Sequence, residues 1–359
     1  MTRLLLSLFI FTLSVNAQSR ELAVSVNKTI TDNLVIPWGM AQISPNQLLV
    51  TQRGGDIVLV DMRSGKKTQV SGGPKVLVKG QGGLLDVKKS PNYHQDGWLY
   101  FTYVKAIKGQ GATTLARAKL DKNELVQWQD LLITKSRTRH GRHFGSRIAF
   151  DHQGHVFFSI GDRANRDNGQ DLMTHAGSIL RLNLDGSVPR DNPFVGRKDA
   201  LPELYSVGHR NPQGLAYDMN SKHLWAIEHG PRGGDELNLI KPGLNYGWPI
   251  VSHGKEYVLP MAVGEATSMP GYQDPVQVYI PSIAPSSLLL LPLADGKPQF
   301  FIGALKLTHI NHLVIDASVT EHRYLTSLGK RIRNIIAGDN GSLLVATDDG
   351  LILQVSLAR

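Results

Sequence analysis

The sequence predicts an all-β fold, a six-bladed β-propeller whose long loops gather on one face. Short apolar or aromatic runs recur six times, each after a turn and each ending in a small or polar residue. The 36 glycines and 18 prolines are typical of a turn-rich fold, and no long window has the periodicity of an amphipathic helix. A β-sandwich is the alternative, but it gives no reason for six repeats.

Each repeat has the pattern of a strand, a turn and a second strand, with glycine, asparagine and aspartate in the turns. We predict first strands that begin near Leu48, Leu99, Val156, Leu224, Phe300 and Leu343. The innermost strands of a propeller line a central channel. Residues that directly follow those strands should therefore meet at one mouth of the channel.

The first residues have the features of a secretory signal peptide. Arg3 precedes an apolar stretch from Leu4 to Leu13, and Ala17 ends a small-residue cleavage site. The stretch is too short to span a bilayer, although a membrane anchor is the alternative. We therefore expect residues 1–17 to be removed and residues 18–359 to form a single β-propeller domain. The mature protein would be periplasmic or secreted, without membrane insertion.

Composition narrows the classes of partner. The chain has no cysteine, so an exported protein of this sequence would be stabilised by its core or by bound metal and not by disulfides. The formal net charge is +9, but the basic residues are scattered and form no aromatic-basic RNA motif. No nucleic-acid partner is expected, and a small anionic ligand explains the charge at least as well.

A set of polar residues flanks the apolar runs or the glycine-rich turns beside them. This set contains Gln81, His143, Asp162, Arg163, Arg210, Asn211, Lys306, Arg331 and Arg333. Each residue type also has an ordinary role, such as a surface histidine, a turn-forming aspartate or an exposed strand face. Their shared position at the ends of predicted strands is what predicts a single site.

The residue types in this set suggest a chemistry. Four cations of the set, Arg210, Lys306, Arg331 and Arg333, would bind a compact polyanion at one channel mouth, because a guanidinium pairs with a carboxylate through two hydrogen bonds. A neutral histidine such as His143 can act as a general base. A neighbouring carboxylate such as Asp162 would fix its tautomer and stabilise the imidazolium.

The segment "EHGPRGGDELNLIKPGLNYGW" has the features of a metal-binding loop. Its carboxylates, Glu228, Asp235 and Glu236, surround a Gly-Pro-Arg-Gly-Gly turn. Carboxylates and accessible main-chain carbonyls are the hard oxygen ligands that calcium prefers. Zinc fits less well, because the chain has no cysteine and no HExxH arrangement.

Several motifs in order along the chain resemble the bacterial soluble aldose sugar dehydrogenases. The motifs are "IPWGMA", "HFGSRIAFD", "SIGDRANRDNGQDL", "GHRNPQGLAYD", "EHGPRGGDELNLIKPGLNYGWP", "FIGALK" and "RIR". These enzymes are quinoproteins related to soluble glucose dehydrogenase, and they use pyrroloquinoline quinone (PQQ) and calcium. The resemblance covers nearly all of the mature chain. It implies a propeller enzyme that oxidises aldose sugars at C1 to the lactone, with hydride transfer to PQQ.

The resemblance also implies roles for individual residues. His143 would be the general base with Asp162 as its catalytic partner, and Gln81 and Arg163 would face the sugar. The three carboxylates of PQQ would account for the cations, and its binding residues would be Arg210, Asn211, Tyr257, Lys306, Arg331 and Arg333. The calcium ligands would come from Gly230, Pro231, Glu236 and Tyr246. Ser146 departs from the motif, because relatives often have glycine at this position.

Two other functions remain open from the sequence. One is a calcium-dependent lactonase-type propeller, against which the cations Lys306, Arg331 and Arg333 argue. The other is a non-catalytic propeller that binds glycans or proteins. The electron acceptor is unidentified, and the protein would be a monomer or a homodimer.

Overall fold

The computed structural model describes residues 22–259, 261–293 and 296–358, and within these residues the chain is almost entirely β. The described strands form six four-stranded antiparallel sheets. This arrangement confirms the predicted six-bladed propeller. The predicted signal peptide, residues 1–17, lies outside the described residues. Among the residues that are described, no helix is long and apolar enough to cross a membrane.

The first three sheets follow one another in chain order. The first contains β2 (Pro37–Ser44), β3 (Gln47–Gln52), β4 (Ile57–Asp61) and β5 (Lys67–Val70). The second contains β6 (Leu84–Lys89), β7 (Trp98–Ile107), β8 (Gln110–Asp121) and β9 (Glu124–Ile133), with the short helix α1 (Tyr93–Asp96) between β6 and β7. The third contains β10 (Ile148–Phe150), β11 (His155–Ile160), β12 (Ser178–Asn183) and β13 (Leu204–Val207).

The remaining sheets complete the ring. The fourth contains β14 (Pro212–Asp218), β15 (His223–Glu228), β16 (Asp235–Ile240) and β17 (Gln277–Tyr279). The fifth contains β18 (Pro285–Pro292), β19 (Pro298–Ala304), β20 (Ile310–Ile315) and β21 (Val319–Tyr324). The sixth contains β22 (Ile332–Ala337), β23 (Leu343–Thr347), β24 (Ile352–Ala358) and β1 (Ala23–Thr31). Short 3₁₀ helices lie at Arg166–Gly169, Thr326–Leu328 and Asp339–Gly341.

The sixth sheet joins the two ends of the described chain. Its strand β1 pairs antiparallel with β24, and Ala23 lies opposite Ala358. The first described strand therefore completes a sheet whose other three strands come from the end of the chain. This pairing closes the ring and removes the edges that an open array of sheets would expose.

One part of the prediction was wrong. The runs predicted as first strands are β3, β7, β11, β15, β19 and β23, which are the second strands of their sheets. These second strands are buried on both faces between neighbouring sheets and therefore read as continuous apolar runs. The innermost strands are β2, β6, β10, β14, β18 and β22, which contact one another around the ring.

Although the strand order differs from the prediction, the residues at these strand ends still meet at one mouth of the channel. Each second strand runs antiparallel to the innermost strand of its sheet. The end of a second strand and the start of an innermost strand therefore lie on the same face. Residues such as Asp162, after β11, and Asn211, before β14, are brought to this face for that reason.

The core lies between neighbouring sheets around the whole ring. Adjacent residues of one strand point to opposite faces, so Phe157 packs in a cluster with the fourth sheet while Phe158 packs in a cluster with the second. Phe300 and Phe301 are divided in the same way between the fourth and sixth sheets. All four rings are almost completely buried.

Candidate active site

The loops on this face surround a cavity of about 260 Å³. Its apolar wall includes Ile36, Trp38, Leu85, Phe144 and Leu305, and its polar lining includes Gln81, Asn211, Arg331, Arg333 and Asp348. Four of the predicted site residues therefore line one cavity, although they are distant along the chain. Three arginines, Arg53, Arg331 and Arg333, give this lining a positive character.

His143 and Asp162 form the pair that the sequence predicted. Nδ1 of His143 lies 2.6 Å from Oδ1 of Asp162. A carboxylate oxygen accepts, so Nδ1 carries the proton and Nε2 keeps its lone pair. Nε2 makes no hydrogen bond to any residue that the structure describes. The imidazole is thus held in the tautomer that can take a proton from a hydroxyl.

The backbone of this segment holds His143 in an unusual conformation. His143 has φ of 56°, in the left-handed region that non-glycine residues adopt at a cost. Its amide donates to Oε1 of Gln81 at 2.7 Å. Gln81 itself is held in its turn, because its amide donates to the carbonyl of Gly141. Gln81 therefore lines the cavity and also helps to position His143.

Ser146 keeps the backbone conformation that glycine would adopt. Its φ is 89°, which is strained for a residue with a side chain. Its hydroxyl donates to the carbonyl of Phe144 at 2.9 Å, and its own carbonyl accepts from Thr102 at 2.6 Å. These bonds stabilise the turn after His143, so the departure from the family motif leaves the turn intact.

Asp162 is buried beside His143, and its carboxyl group is ionised. Burial alone would raise its pKa, but the hydrogen bond and charge of His143, the charge of Arg210 and the amide of Ala164 lower it below the ordinary value. Its second oxygen accepts from Nε1 of Trp248 at 2.8 Å. Three donors from three segments therefore hold this carboxylate in one orientation.

His143 remains neutral over most of the physiological range. Burial lowers its pKa below the ordinary value, and the charges of Arg210 and Arg163 act in the same direction. The hydrogen bond and charge of Asp162 oppose this shift without reversing it. A base of this kind stays unprotonated at neutral pH.

Arg331 and Arg333 are held together by a residue that the sequence did not single out. Asp348 accepts from Nε of Arg331 at 2.8 Å and from Nε and Nη2 of Arg333 at 2.6 and 2.9 Å. Burial alone would raise the pKa of Asp348, but the two arginines lower it below the ordinary value. The carboxylate fixes both guanidinium groups at the edge of the cavity.

Arg210 lies beside a second, smaller cavity. Its guanidinium donates to the carbonyl of His229 at 3.1 Å and to the hydroxyl of Tyr257 at 3.2 Å, and it lies 5.3 Å from the ring of Trp248. His229 lines both cavities, so they are adjacent. Tyr257 and Arg210, both predicted to bind the cofactor, therefore contact each other, and a contact between Tyr257 and the cofactor stays a prediction.

Asn211 and Lys306 complete the predicted cofactor set. Oδ1 of Asn211 accepts from the amide of Gly145 at 3.2 Å and faces the main cavity. Lys306 is exposed and follows Leu305 in the cavity wall, and its ammonium makes no ion pair within the described part of the chain. The predicted cations thus lie around one face without forming a single ring: two line the main cavity, one the adjacent cavity, and Lys306 lies outside.

Arg163 has a placement that the sequence did not predict. Arg163 and the following Ala164 have left-handed φ values of 58° and 62°, and the guanidinium turns inward over the ring of Phe144 at 3.4 Å. It donates to the carbonyls of His140 and Arg142, and the residue is 1% exposed. This placement gives no support to a contact between Arg163 and a sugar.

Asp235 shapes the glycine-rich loop. Its Oδ1 accepts from the amide of Gly230 at 2.9 Å, while Oδ2 accepts from Ser282 and Ala284 at 2.5 and 2.8 Å. The loop is therefore tied to the segment before β18. The carbonyl of Pro231 accepts from the amide of Lys255 at 2.8 Å, which orders the next loop as well.

The smaller cavity has the donor set of a hard cation. Gly230, Glu236 and Tyr246 line it together with Glu228 and Arg210. Burial and the charge of Glu228 raise the pKa of Glu236 to about 8. The described residues contain no cluster of three or more histidine or acidic side chains arranged for a metal. Any ion here would therefore rely on main-chain carbonyls as well as on carboxylates.

An amide oxygen beside these carboxylates has no partner among the residues that the structure describes. Nδ2 of Asn238 donates to Glu228 and Glu236 at 3.2 and 3.4 Å, but its buried Oδ1 accepts no hydrogen bond from any of these residues. Buried acceptors are normally satisfied. An orphaned acceptor between two carboxylates fits calcium, which prefers oxygen ligands of this kind. The residues present therefore fit the predicted ion.

Comparison with known proteins decides the family. The sequence model described as "Glucose / Sorbosone dehydrogenase" matches residues 34–354. The chain belongs to the glucose/sorbosone dehydrogenase family. It is thereby an oxidoreductase of the sugar dehydrogenase class, which confirms the resemblance seen in the sequence.

Individual members of the glucose/sorbosone dehydrogenase family support this assignment. The chain is 36% identical to aldose sugar dehydrogenase YliI of Escherichia coli K12 over 344 residues, covering 92% of each protein. It is 32% identical to quinoprotein glucose dehydrogenase B of Acinetobacter calcoaceticus over 262 residues, which are 64% of this chain and 53% of that protein. The PQQ-bound structure of an aldose sugar dehydrogenase from Streptomyces coelicolor is similar with a TM-score of 0.79 and 28% identity, covering 94% and 99% of the two chains.

Sequence reasoning missed two residues of this candidate site. Trp248 ends the segment "EHGPRGGDELNLIKPGLNYGW" and received no predicted role, and Asp348 lies in "ATDDG", which has the ordinary appearance of a turn. A buried Asp162 requires a hydrogen-bond donor, and two neighbouring arginines require a counter-ion. These requirements are the signals that could have pointed to Trp248 and Asp348. Neither partner can be assigned without knowing which segments are adjacent in space.

Proposed function

We propose that this protein oxidises aldose sugars at C1 to the lactone with PQQ and calcium as cofactors. The observation that carries the proposal is the His143–Asp162 pair beside a cavity lined by Arg331 and Arg333. A family of sugar dehydrogenases with a quinoprotein and a PQQ-bound member supports the choice of cofactor. An aldose is the expected substrate.

His143 acts as the general base in this proposal. Its unprotonated Nε2 accepts the proton of the C1 hydroxyl, and the imidazolium that forms is stabilised by the ionised Asp162 at 2.6 Å. The amide bond to Gln81 and the indole bond from Trp248 to Asp162 keep both groups in place. When bound, PQQ supplies the two-electron oxidant that removes the hydrogen and the electron pair from C1.

The cationic residues hold the anionic cofactor. Arg331 and Arg333 present their guanidinium groups at the cavity edge, where they would pair with carboxylates of PQQ. Asn211, directly before the innermost strand β14, would supply polar contacts from the fourth sheet, while Arg210 and Tyr257 lie beside the adjacent cavity and Lys306 follows the cavity wall. Asp348 holds both guanidinium groups by hydrogen bonds before any ligand binds.

Calcium would be held by the loop around Gly230. Of the candidate ligands, Gly230, Glu236 and Tyr246 line the smaller cavity, while the carbonyl of Pro231 lies next in the chain and accepts from the amide of Lys255. When bound, the ion supplies positive charge that polarises the oxidant and neutralises the buried carboxylates. The electron acceptor, the oligomeric state and the signal peptide stay predictions.

Reconstitution tests the proposal. Protein stripped with a chelator is titrated with PQQ and Ca²⁺, and reduction of a redox dye is followed with several aldoses. We expect sugar-dependent dye reduction only when both cofactors are present, together with a quinone absorbance band that stays with the protein through gel filtration. Lactone hydrolysis without PQQ would select the lactonase, and no activity in either assay would select a binding protein.

Replacement of the base separates catalysis from binding. His143→Asn should bind PQQ with the affinity of the wild type but lose about 10²- to 10⁴-fold in turnover, the usual contribution of a general base. His223→Asn is the matched control, because His223 is exposed at the start of β15. Near-normal turnover of His143→Asn would contradict the assignment.

A further inference from the structure

Arg147 occupies the centre of the propeller, and neither the reaction nor the predicted site includes it. The residue directly precedes β10, is 3% exposed and lies in the "HFGSR" motif after His143. Its Nη1 donates to the carbonyl of Trp38 at 3.2 Å and to Oδ1 of Asp86 at 3.0 Å. The other nitrogens donate to the carbonyls of Gln213, Ser286 and Arg333 at 2.5 to 3.0 Å.

These acceptors come from all the other sheets. Trp38 lies in β2, Asp86 in β6, Gln213 in β14, Ser286 in β18 and Arg333 in β22. Each of these is the innermost strand of its sheet. One side chain, attached at the start of the third sheet, therefore bonds to one group from each of the five other innermost strands.

The surroundings compensate the burial of the charge. An unpaired buried guanidinium would be very unfavourable, but all the nitrogens of Arg147 have acceptors, and Asp86 supplies a buried counter-ion. The guanidinium also lies 3.8 Å from the ring of Trp38. Burial lowers the pKa of Arg147 to about 10, so the group stays charged at neutral pH.

The innermost strands that bond to Arg147 also contribute residues to the lining of the main cavity. Trp38, Gln213 and Arg333 each give a carbonyl to Arg147 and also line the cavity above it. Nε2 of Gln213 donates in turn to the carbonyl of Gly145 and to Oδ1 of Asn211 at 2.9 and 3.4 Å. A shift of the guanidinium would therefore move several groups of the site at once.

We propose that Arg147 is a positioning residue, which fixes the six innermost strands relative to one another and thereby sets the spacing between His143, Asn211 and Arg333. A guanidinium suits this role because its planar fork directs five N–H groups in fixed directions. A lysine has the same charge but only three donors on a flexible stem. The part of the inference that concerns cofactor binding rests on the proposed function, and the part that concerns the strands does not.

Hydrogen exchange tests the link between the strands without any cofactor. In the wild type, local opening of an innermost strand has to break its bond to Arg147. Arg147→Lys removes this requirement and should raise amide exchange rates by about tenfold or more in β2, β14, β18 and β22 together. Leu182→Ala is the control, since Leu182 is buried in the third sheet near the opposite face. Its effect should stay within the third sheet and its direct neighbours.

A PQQ titration at a temperature well below unfolding tests the effect on the site. Arg147→Lys should weaken PQQ binding by about tenfold or more, because small misplacements of binding groups have large effects. Leu182→Ala, with a similar loss of Tm, should bind PQQ as tightly as the wild type does. Should Arg147→Lys fail to fold, Asp86→Asn removes one bond of the same set, and exchange should then rise in β6 and β10.

The outcomes separate the two proposals. Exchange changes confined to the third sheet in Arg147→Lys would overturn the inference, as would a loss of PQQ affinity no larger than that of Leu182→Ala. A wild-type protein that ignores PQQ would refute the proposed function instead, and the exchange experiment would still decide whether Arg147 links the strands.

Discussion

The indole of Trp248 donates a hydrogen bond to Oδ2 of Asp162 at 2.8 Å, while the other oxygen of this carboxylate holds His143. The two residues are distant in sequence, and Trp248 is 5% exposed. The tryptophan therefore fixes the orientation of the carboxylate that holds the imidazole of His143. This chain of contacts predicts that Trp248 contributes to turnover without touching the reacting atoms.

Trp248→Phe should lower kcat by about tenfold with little change in the KM for the sugar. The reason is that loss of one hydrogen bond to a buried charged group costs about 1.5–3 kcal/mol, part of which would be regained by small movements. Trp225→Phe is a matched control, because Trp225 is similarly buried but its Nε1 has no hydrogen-bond partner. Equal effects of the two substitutions on kcat would contradict the role of Trp248.

The pH dependence of kcat/KM should report the titration of His143. Burial lowers its pKa, so the acid limb of the profile should lie below the ordinary histidine value of about 6.5. Asp162→Asn removes the contributions that raise this pKa, so the limb should move to still lower pH while the maximal rate falls. A limb that moves to higher pH in Asp162→Asn would show that another group is titrating.

Asp348→Asn should destabilise the protein by about 1–3 kcal/mol at neutral pH, because two cations lose a partly buried counter-ion. The folded-state pKa of Asp348 is lowered, so its ionised form contributes stability above the unfolded pKa of about 3.9. This contribution is lost as the pH falls through the folded pKa. The difference in urea-unfolding free energy between wild type and variant should therefore shrink below about pH 4.

The neighbouring Asp349 provides the control for this experiment. It pairs with the exposed Lys330 on the surface, where ion pairs contribute little. Asp349→Asn should change the free energy of unfolding by less than about 1 kcal/mol at any pH. Similar effects of the two substitutions would mean that Asp348 is only another surface charge.

Calcium should raise the thermal stability of the protein through Glu236. A ligand that binds only the folded state raises Tm with concentration, and Glu236 lies beside Glu228 and the unpartnered oxygen of Asn238. We expect millimolar Ca²⁺ to raise Tm in the wild type and in the exposed-surface control Glu124→Gln, and a chelator to reverse the increase. Glu236→Gln should lose most of the rise in Tm caused by Ca²⁺. An undiminished rise in Tm in this variant would show that the ion binds elsewhere.

The sequence alone determined the number of blades and indicated several of the residues that the structure brings to one face. Six buried second strands produce six apolar runs, because a strand covered on both faces has no polar side to interrupt it. The His143–Asp162 pair and the arginines of the "RIR" motif could be named because their chemistry is a property of the residue type. The motifs also sufficed to identify the family.

Only the tertiary structure decided which polar groups meet. The innermost strands mix apolar residues with small or polar ones, as in Pro37–Ser44 and Ile332–Ala337, and share no repeated pattern, so the strand order within each blade was predicted wrongly. Arg163 is directed into the interior by two left-handed residues, and Asp348, Trp248 and Arg147 gain their roles from partners in other sheets. Hydrogen bonds between distant segments depend on ring closure and strand register, which no local pattern of residues encodes.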